Sequence, residues 1–416
     1  MKISKKNIKY GINKHHHGLF VKEARLRHGY RLSEVAAEIC DTSYLSKIES
    51  GIIVPTPEIF EKLAEKLEIK FPLEERLCPV DTFRKALYQD DMSIIETSLT
   101  NSNFHEYEIQ MINFFQAVLS DDLSFAYTIK KKIDQYQHHF NVKEKQFYML
   151  FSGIYFFKVF EWENGQKCFR ISLELSCQMK EEDPYLYFQI AKYYFQMQKT
   201  CMGLSYLERA TAGFKRIFEK NWVFKCGILW CRESIIKTGD FRSVETRLEE
   251  LHKIINSRKD HPQWSSFFNI LGMIYEKRGQ NIQAEEYYIK SIEPRDGKIN
   301  EDFIIDTIKF HYSRQNTGQM IKLIEGLDLS SFSMRGKMLV DFYYFKGTDE
   351  TSENFETFLK KDAIPFAMKG LDNQNVSLYS KELAKYYRDK LSHKKVADAY
   401  YKWEKFRDEV NLISII

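Results

Sequence analysis

Proline and glycine are scarce, with 8 and 18 in 416 residues. So few breakers disfavour a protein of short strands and tight turns and leave helices as the expectation. No apolar run approaches the roughly 20 residues that cross a bilayer, and the N-terminal MKISKKNIKY lacks the apolar core of a signal peptide. A soluble, cytoplasmic protein is therefore expected. The seven cysteines are odd in number, scattered, and form no CxxC pair, which argues against a disulfide framework or a zinc site and for free thiols in a reducing compartment. There is no phosphate-binding loop, HExxH, nucleophile elbow or meaningful pair of carboxylates. The expectation is a protein that is not an enzyme and carries no cofactor.

What is present begins with charge. Residues 1–31 hold six Lys and three Arg against Glu23 alone, a net +8, so the mild +4 of the whole chain conceals −4 over the remaining 385 residues. A basic block of this kind contacts a polyanion or is simply a solvated tail, and charge does not separate the two. The run His15, His16, His17 has no acidic or Cys neighbour to complete a metal site and is read as polar surface. Residues 1–17 are taken as a basic N-terminal arm.

Residues 18–71 carry four helix signals in quick succession. GLFVKEARLRHG, Gly18 to Gly29, has helical apolar spacing and a closing glycine; SEVAAEI, Ser33 to Ile39, is short with Ser33 as a possible cap. Asp41 or Thr42 then caps a third helix ending near Gly51, and TPEIFEKLAEKLEI follows Pro55. Two short helices joined by a tight turn, the second bearing small polar residues, make a helix-turn-helix signature. At 100° per residue, Thr42, Ser43, Ser46 and Lys47 fall within an arc of about 140°, with Leu45 and Ile48 opposite. Short hydroxyl side chains and an ammonium on one face suit base edges and phosphates in a major groove, although spacing alone also fits an ordinary solvated helix. Tyr44 lies on the apolar side by angle but is kept among the DNA-contacting candidates, with Arg31 and Ser33 at the start of the second helix.

Ser43 to Gly51 followed by Pro55 matches S-x-x-L-S-K-I-E-x-G and a trailing proline, and so resembles the Cro/C1-type, or XRE-like, helix-turn-helix family. The resemblance implies that Thr42, Ser43, Ser46 and Lys47 face DNA, that Leu45 and Ile48 are core, and that Glu49 pairs with Arg25 as a structural contact. Two departures stand out: Arg31 and Leu32 occupy the place of the family's Thr/Ser–Gln, and the turn between Val35 and Leu45 is one residue short.

After a connector taken as residues 72–81, residues 82–416 show helix pairs in repetition. FFNILGMIYEKRGQNIQAEEYYIKSIEP, Phe267 to Pro294, matches the tetratricopeptide pattern at Leu271, Gly272, Tyr275, Gly279, Ala284, Tyr288 and Pro294. Equivalent positions are read at Gly153, Ala191 and Arg232, and a final unit at Ser380 to Phe406 through Leu383, Ala384, Tyr387, Ala397 and Tyr400. Helix pairs that cannot bury their apolar faces alone stack into an α-solenoid with a concave groove suited to peptides. The fold class is therefore all-α: a helix-turn-helix bundle followed by a tetratricopeptide-like α-solenoid. Groove-facing candidates for peptide binding are Gln189, Lys192, Glu233, Ser266, Asn269, Met273 and Glu276. Asn269 is foremost because its amide offers both a donor and an acceptor to a peptide backbone.

An XRE-like head with a shortened turn, followed by degenerate tetratricopeptide units, resembles the RRNPP family of bacterial peptide-pheromone receptors, in particular its PlcR-like and NprR-like transcription factors. The resemblance implies a homodimer that binds an operator in double-stranded DNA, with a short signalling peptide in the repeat groove altering the geometry of the two heads. It leaves a second expectation open, a repeat domain that holds a protein partner such as a phosphorelay response regulator.

Overall fold

The computed structural model describes residues 17–69, 78–101, 104–237, 239, 241–255, 263–293, 300–370 and 372–411. The arm read at 1–17 lies outside them except for His17. Among the described residues there is no strand, and no helix is long and apolar enough to cross a membrane. Two compact units divide the chain, the first ending at Leu186 and the second beginning at Tyr187.

The first unit opens with a four-helix head: α1 (His17–Arg27), α2 (Leu32–Ala36), α3 (Thr42–Glu49) and α4 (Pro57–Lys66). Val21, Val35, Leu45, Ile48, Phe60 and Leu63 converge in its core, each worth about 1.5–3 kcal/mol on burial. The caps follow local chemistry. Thr56 accepts from the Ile59 N–H at 3.4 Å to start α4, with Pro57 in the first helical turn, where no donor is missed. Asp41, not Thr42, caps α3, accepting from the Ser43 N–H at 2.7 Å. The cap of α2 is Arg31 instead of Ser33, because Glu34 reaches back to accept from the Arg31 N–H at 2.5 Å. Glu38 takes a left-handed φ of 67° in the turn between α2 and α3, a sharp reversal that accommodates the missing residue. His17, expected at the surface, is buried and stacks on Phe60 with ring centroids 4.1 Å apart. It falls on the inner face of α1, where an imidazole ring serves as an aromatic plate.

The rest of the unit comprises α5 (Pro79–Gln89), α6 (Ser93–Asn101), α7 (Glu106–Leu119), α8 (Leu123–Ile133), α9 (Val142–Lys158) and α10 (Trp162–Met179). Helix α5 begins inside the stretch read as connector, with Pro79 at its first position. An aromatic core of Phe83, Phe115, Phe147 and Phe151 packs with centroid distances between 4.5 and 6.2 Å.

The second unit continues as antiparallel pairs: α11 (Pro184–Gln196, which begins in the first unit), α12 (Thr200–Arg216), α13 (Lys220–Lys237), α14 (Phe241–Ile255), α15 (Gln263–Lys277), α16 (Asn281–Ile292), α17 (Glu301–Ser313), α18 (Thr317–Glu325), α19 (Met334–Thr348), α20 (Glu353–Thr357), α21 (Ile364–Lys369), α22 (Asn373–Asp389) and α23 (His393–Asn411). Alternate helices α13, α15, α17 and α19 pack side by side, and α14, α16 and α18 pack against them, which is the layered order of a solenoid.

Close crossings occur where the sequence spacing placed two of them. A Cβ on Gly153 would lie 2.7 Å from the Phe169 ring, and one on Gly272 would lie 2.9 Å from Tyr288. Arg232 is not the small position of its pair; that approach is made by Gly227 against Leu251, and the guanidinium is released for another purpose. In the last helix the register differs from the reading by two residues. Ala399 and Phe406 are buried and Ala397 and Tyr400 are exposed.

Candidate DNA-reading and ligand-binding sites

Helix α3 is pinned from beneath. Leu45 and Ile48 have no exposed surface, while Thr42, Ser43, Ser46 and Lys47 are all exposed, so the apolar half fixes which way the polar half faces. Arg31 and Ser33 are exposed beside them, and Tyr44 is half-buried at the border of the core. The hydrogen bond from Ser43 holds the Asp41 carboxyl below its ordinary pKa, so it is charged at neutral pH and keeps the helix start ordered.

Arg25 and Glu49 form the expected pair with two parallel bonds, Nε to Oε1 at 2.7 Å and Nη2 to Oε2 at 2.8 Å. The third arm of the guanidinium, Nη1, donates to the Tyr30 carbonyl at 3.0 Å. Arg25 thus joins the end of α1, the loop after it and the end of α3, and its hydrogen bond to Glu49 raises its pKa.

Sequence reasoning missed how the head is seated on the helices that follow it in the same unit. Glu23 Oε1 lies 2.6 Å from Nδ1 of His105, and Phe20 meets the same ring edge-on at 4.8 Å. Gly51, at φ +74°, lies against His139, whose Nδ1 would be 2.6 Å from any Cβ placed there. The glycine therefore serves both the left-handed end of α3 and this close approach.

In the second unit the seven groove candidates separate. Lys192 is exposed; Gln189, Glu233, Ser266 and Glu276 are half-buried. Burial holds the Glu233 carboxyl above its ordinary pKa, partly offset by Arg232. Glu276 accepts from the Tyr288 hydroxyl at 2.6 Å. Met273 and Asn269 are buried, contrary to the exposed, groove-facing placement expected of them. Met273 joins the core with Ile270 and Ile274. Asn269 is consumed by a charged cluster: its Oδ1 accepts from Arg232 Nη1 at 3.1 Å, and its Nδ2 donates to Asp306 Oδ2 at 3.3 Å.

Arg232 closes that cluster with two bonds to Asp306, at 2.8 and 3.2 Å. Burial alone would lower the Arg232 pKa, but Asp306 and Asp302 overcome it and leave it raised. One helix further on, Arg335 lies 3.1 Å from Asp372 and 3.6 Å from Asp302. Arg232 on α13, Asn269 on α15, Asp306 on α17 and Arg335 on α19 thus line one continuous polar face. Its sequence signal was charge recurring in alternate helices, visible only once the pairs are in register.

Residues 21–73 match the helix-turn-helix family model. Over 406 residues the chain is 23% identical to the transcriptional activator NprA of Geobacillus stearothermophilus, covering 88% of this chain and 97% of that protein. The chain is also 22% identical to response regulator aspartate phosphatase I of Bacillus subtilis strain 168, over 70% of this chain and 75% of that one. NprR solved in complex with its cognate peptide NprX superposes with a TM-score of 0.58 at 18% identity, covering 74% of this chain and 96% of NprR. The chain therefore shares the solenoid fold of NprR.

Proposed function

We propose that this protein is a member of the RRNPP family, a cytoplasmic transcriptional regulator that binds operator DNA through its head and is controlled by a short signalling peptide held by its repeats. The observation that carries the proposal is the exposed face Thr42, Ser43, Ser46 and Lys47, fixed outward by a fully buried Leu45 and Ile48. Residues 18–71 read DNA in this proposal, with Arg31, Ser33 and Tyr44 at the border of the contact, and residues 82–416 bind peptide and make a homodimer. Support comes from the relative named as a transcriptional activator and from the NprR complex with a peptide. In this proposal Gln189, Lys192, Glu233, Ser266 and Glu276, which all keep some exposed surface, meet the ligand directly. Asn269 does so only by exchanging its bonds to Arg232 and Asp306 for bonds to a peptide.

The test is retention of genomic DNA fragments. Ser43→Ala and Lys47→Ala are expected to weaken retention severalfold, Lys47→Ala more at low salt than at high salt because it loses a phosphate contact. Melting curves of both variants should overlay the parent. Undiminished retention would remove α3 as the reader. Similarity to an aspartate phosphatase acting on response regulators supports a second reading, in which the repeats sequester such a protein; its capture by the Lys47→Ala variant would favour it.

A further inference from the structure

Among the described residues, the polar face of the second unit contains a cation that its neighbours leave unmatched, Lys309 on α17. Asp302, Asp306 and Lys309 are spaced i, i+4 and i+7 along α17 and share one face of that helix. Both oxygens of Asp306 are engaged by Arg232, with Asn269 sharing Oδ2, and Asp302 and Asp372 lie with Arg335. Among the described residues, therefore, the carboxylates that share its helix face, Asp302 and Asp306, are engaged by guanidinium groups, and the half-buried Lys309 makes no ion pair or hydrogen bond. A half-buried ammonium without an acceptor is costly unless something supplies one.

We propose that Lys309 is the anion-binding position of the ligand site and takes a carboxylate of the bound peptide, either its free C-terminus or an acidic side chain. This rests on the peptide-binding reading above. Arg232 on α13 and Arg335 on α19 add attraction for the incoming anion while their own carboxylates hold them in place. Burial and the two arginines already lower the Lys309 pKa against the pull of Asp306 and Asp302. A ligand carboxylate would relieve that penalty and set the direction in which the peptide lies across α13, α15, α17 and α19.

The experiment uses the full chain and two pools of short random synthetic peptides, one with free C-terminal carboxylates and one amidated, with retained peptides read by mass spectrometry. Enrichment of free-acid peptides assigns the C-terminus; enrichment of acidic side chains in both pools assigns those. In either case Lys309→Met should still retain peptides but lose the preference, and the best retained peptide should bind about tenfold more weakly. Lys309→Met removes a partly buried charge, so a melting temperature at or above that of the parent confirms that folding is not the cause. Peptide retention without an anionic preference, or a preference that survives Lys309→Met, overturns the assignment and leaves the peptide reading standing. No retention from either pool overturns both.

Discussion

Glu49 is almost fully buried, at 4% exposure, and its two oxygens are matched by the fork of Arg25. Planar, bidentate pairing of this kind is a property of arginine that lysine does not reproduce. Arg25→Ala leaves a buried carboxylate unpaired and is expected to lower the stability of the head by about 2–4 kcal/mol. Urea unfolding followed by a signal confined to the head would show the loss. Operator affinity of the folded fraction should be unchanged, since the guanidinium is spent on Glu49 and the Tyr30 carbonyl. This pair was legible in the sequence because the motif around Glu49 is specific. Asn269 shows the opposite case: its place in the helix was read correctly, but it was expected to be exposed and is buried. The Asp306 that captures it lies 37 residues away, on a helix pair whose register the sequence left vague.

At the scale of helices, two of the solenoid's close crossings were legible from one spacing. Gly153 with Phe169 and Gly272 with Tyr288 each place an absent side chain under an aromatic ring one helix later. Tyr288 is also tethered to Glu276 at 2.6 Å and cannot move aside cheaply. Gly272→Leu is therefore expected to destabilise the second unit by about 1–3 kcal/mol through overpacking, measured as a lowered thermal midpoint with the head unaffected. The last pair was misread in α23 because its inner face uses Val396, Ala399, Trp403 and Phe406, while exposed Tyr400 and Tyr401 supply a misleading aromatic stripe. Helices α20 and α21 are joined through a wider π-helical turn, Phe358–Ala363. No sequence period announces such a turn, since its apolar residues Phe358, Leu359 and Ala363 fit an ordinary helix equally well.

Across the whole molecule, regulation requires that a ligand bind two arrangements of the protein with different affinity, and that DNA do the same. The head is not tethered by a bare linker: Glu23 with His105 and Gly51 against His139 set the aim of α3 relative to the helices that follow within the first unit. A homodimer with heads so held would prefer operators of a fixed half-site spacing, and a peptide that shifts the dimer would change that preference. The most direct test is to sequence the genomic fragments retained by the purified protein with and without a small-peptide fraction from the source culture. A shared inverted repeat whose retention or spacing changes with the peptide fraction is the expected result. Identical fragments in both conditions would contradict control by peptide, and no retained fragment in either would contradict DNA reading itself.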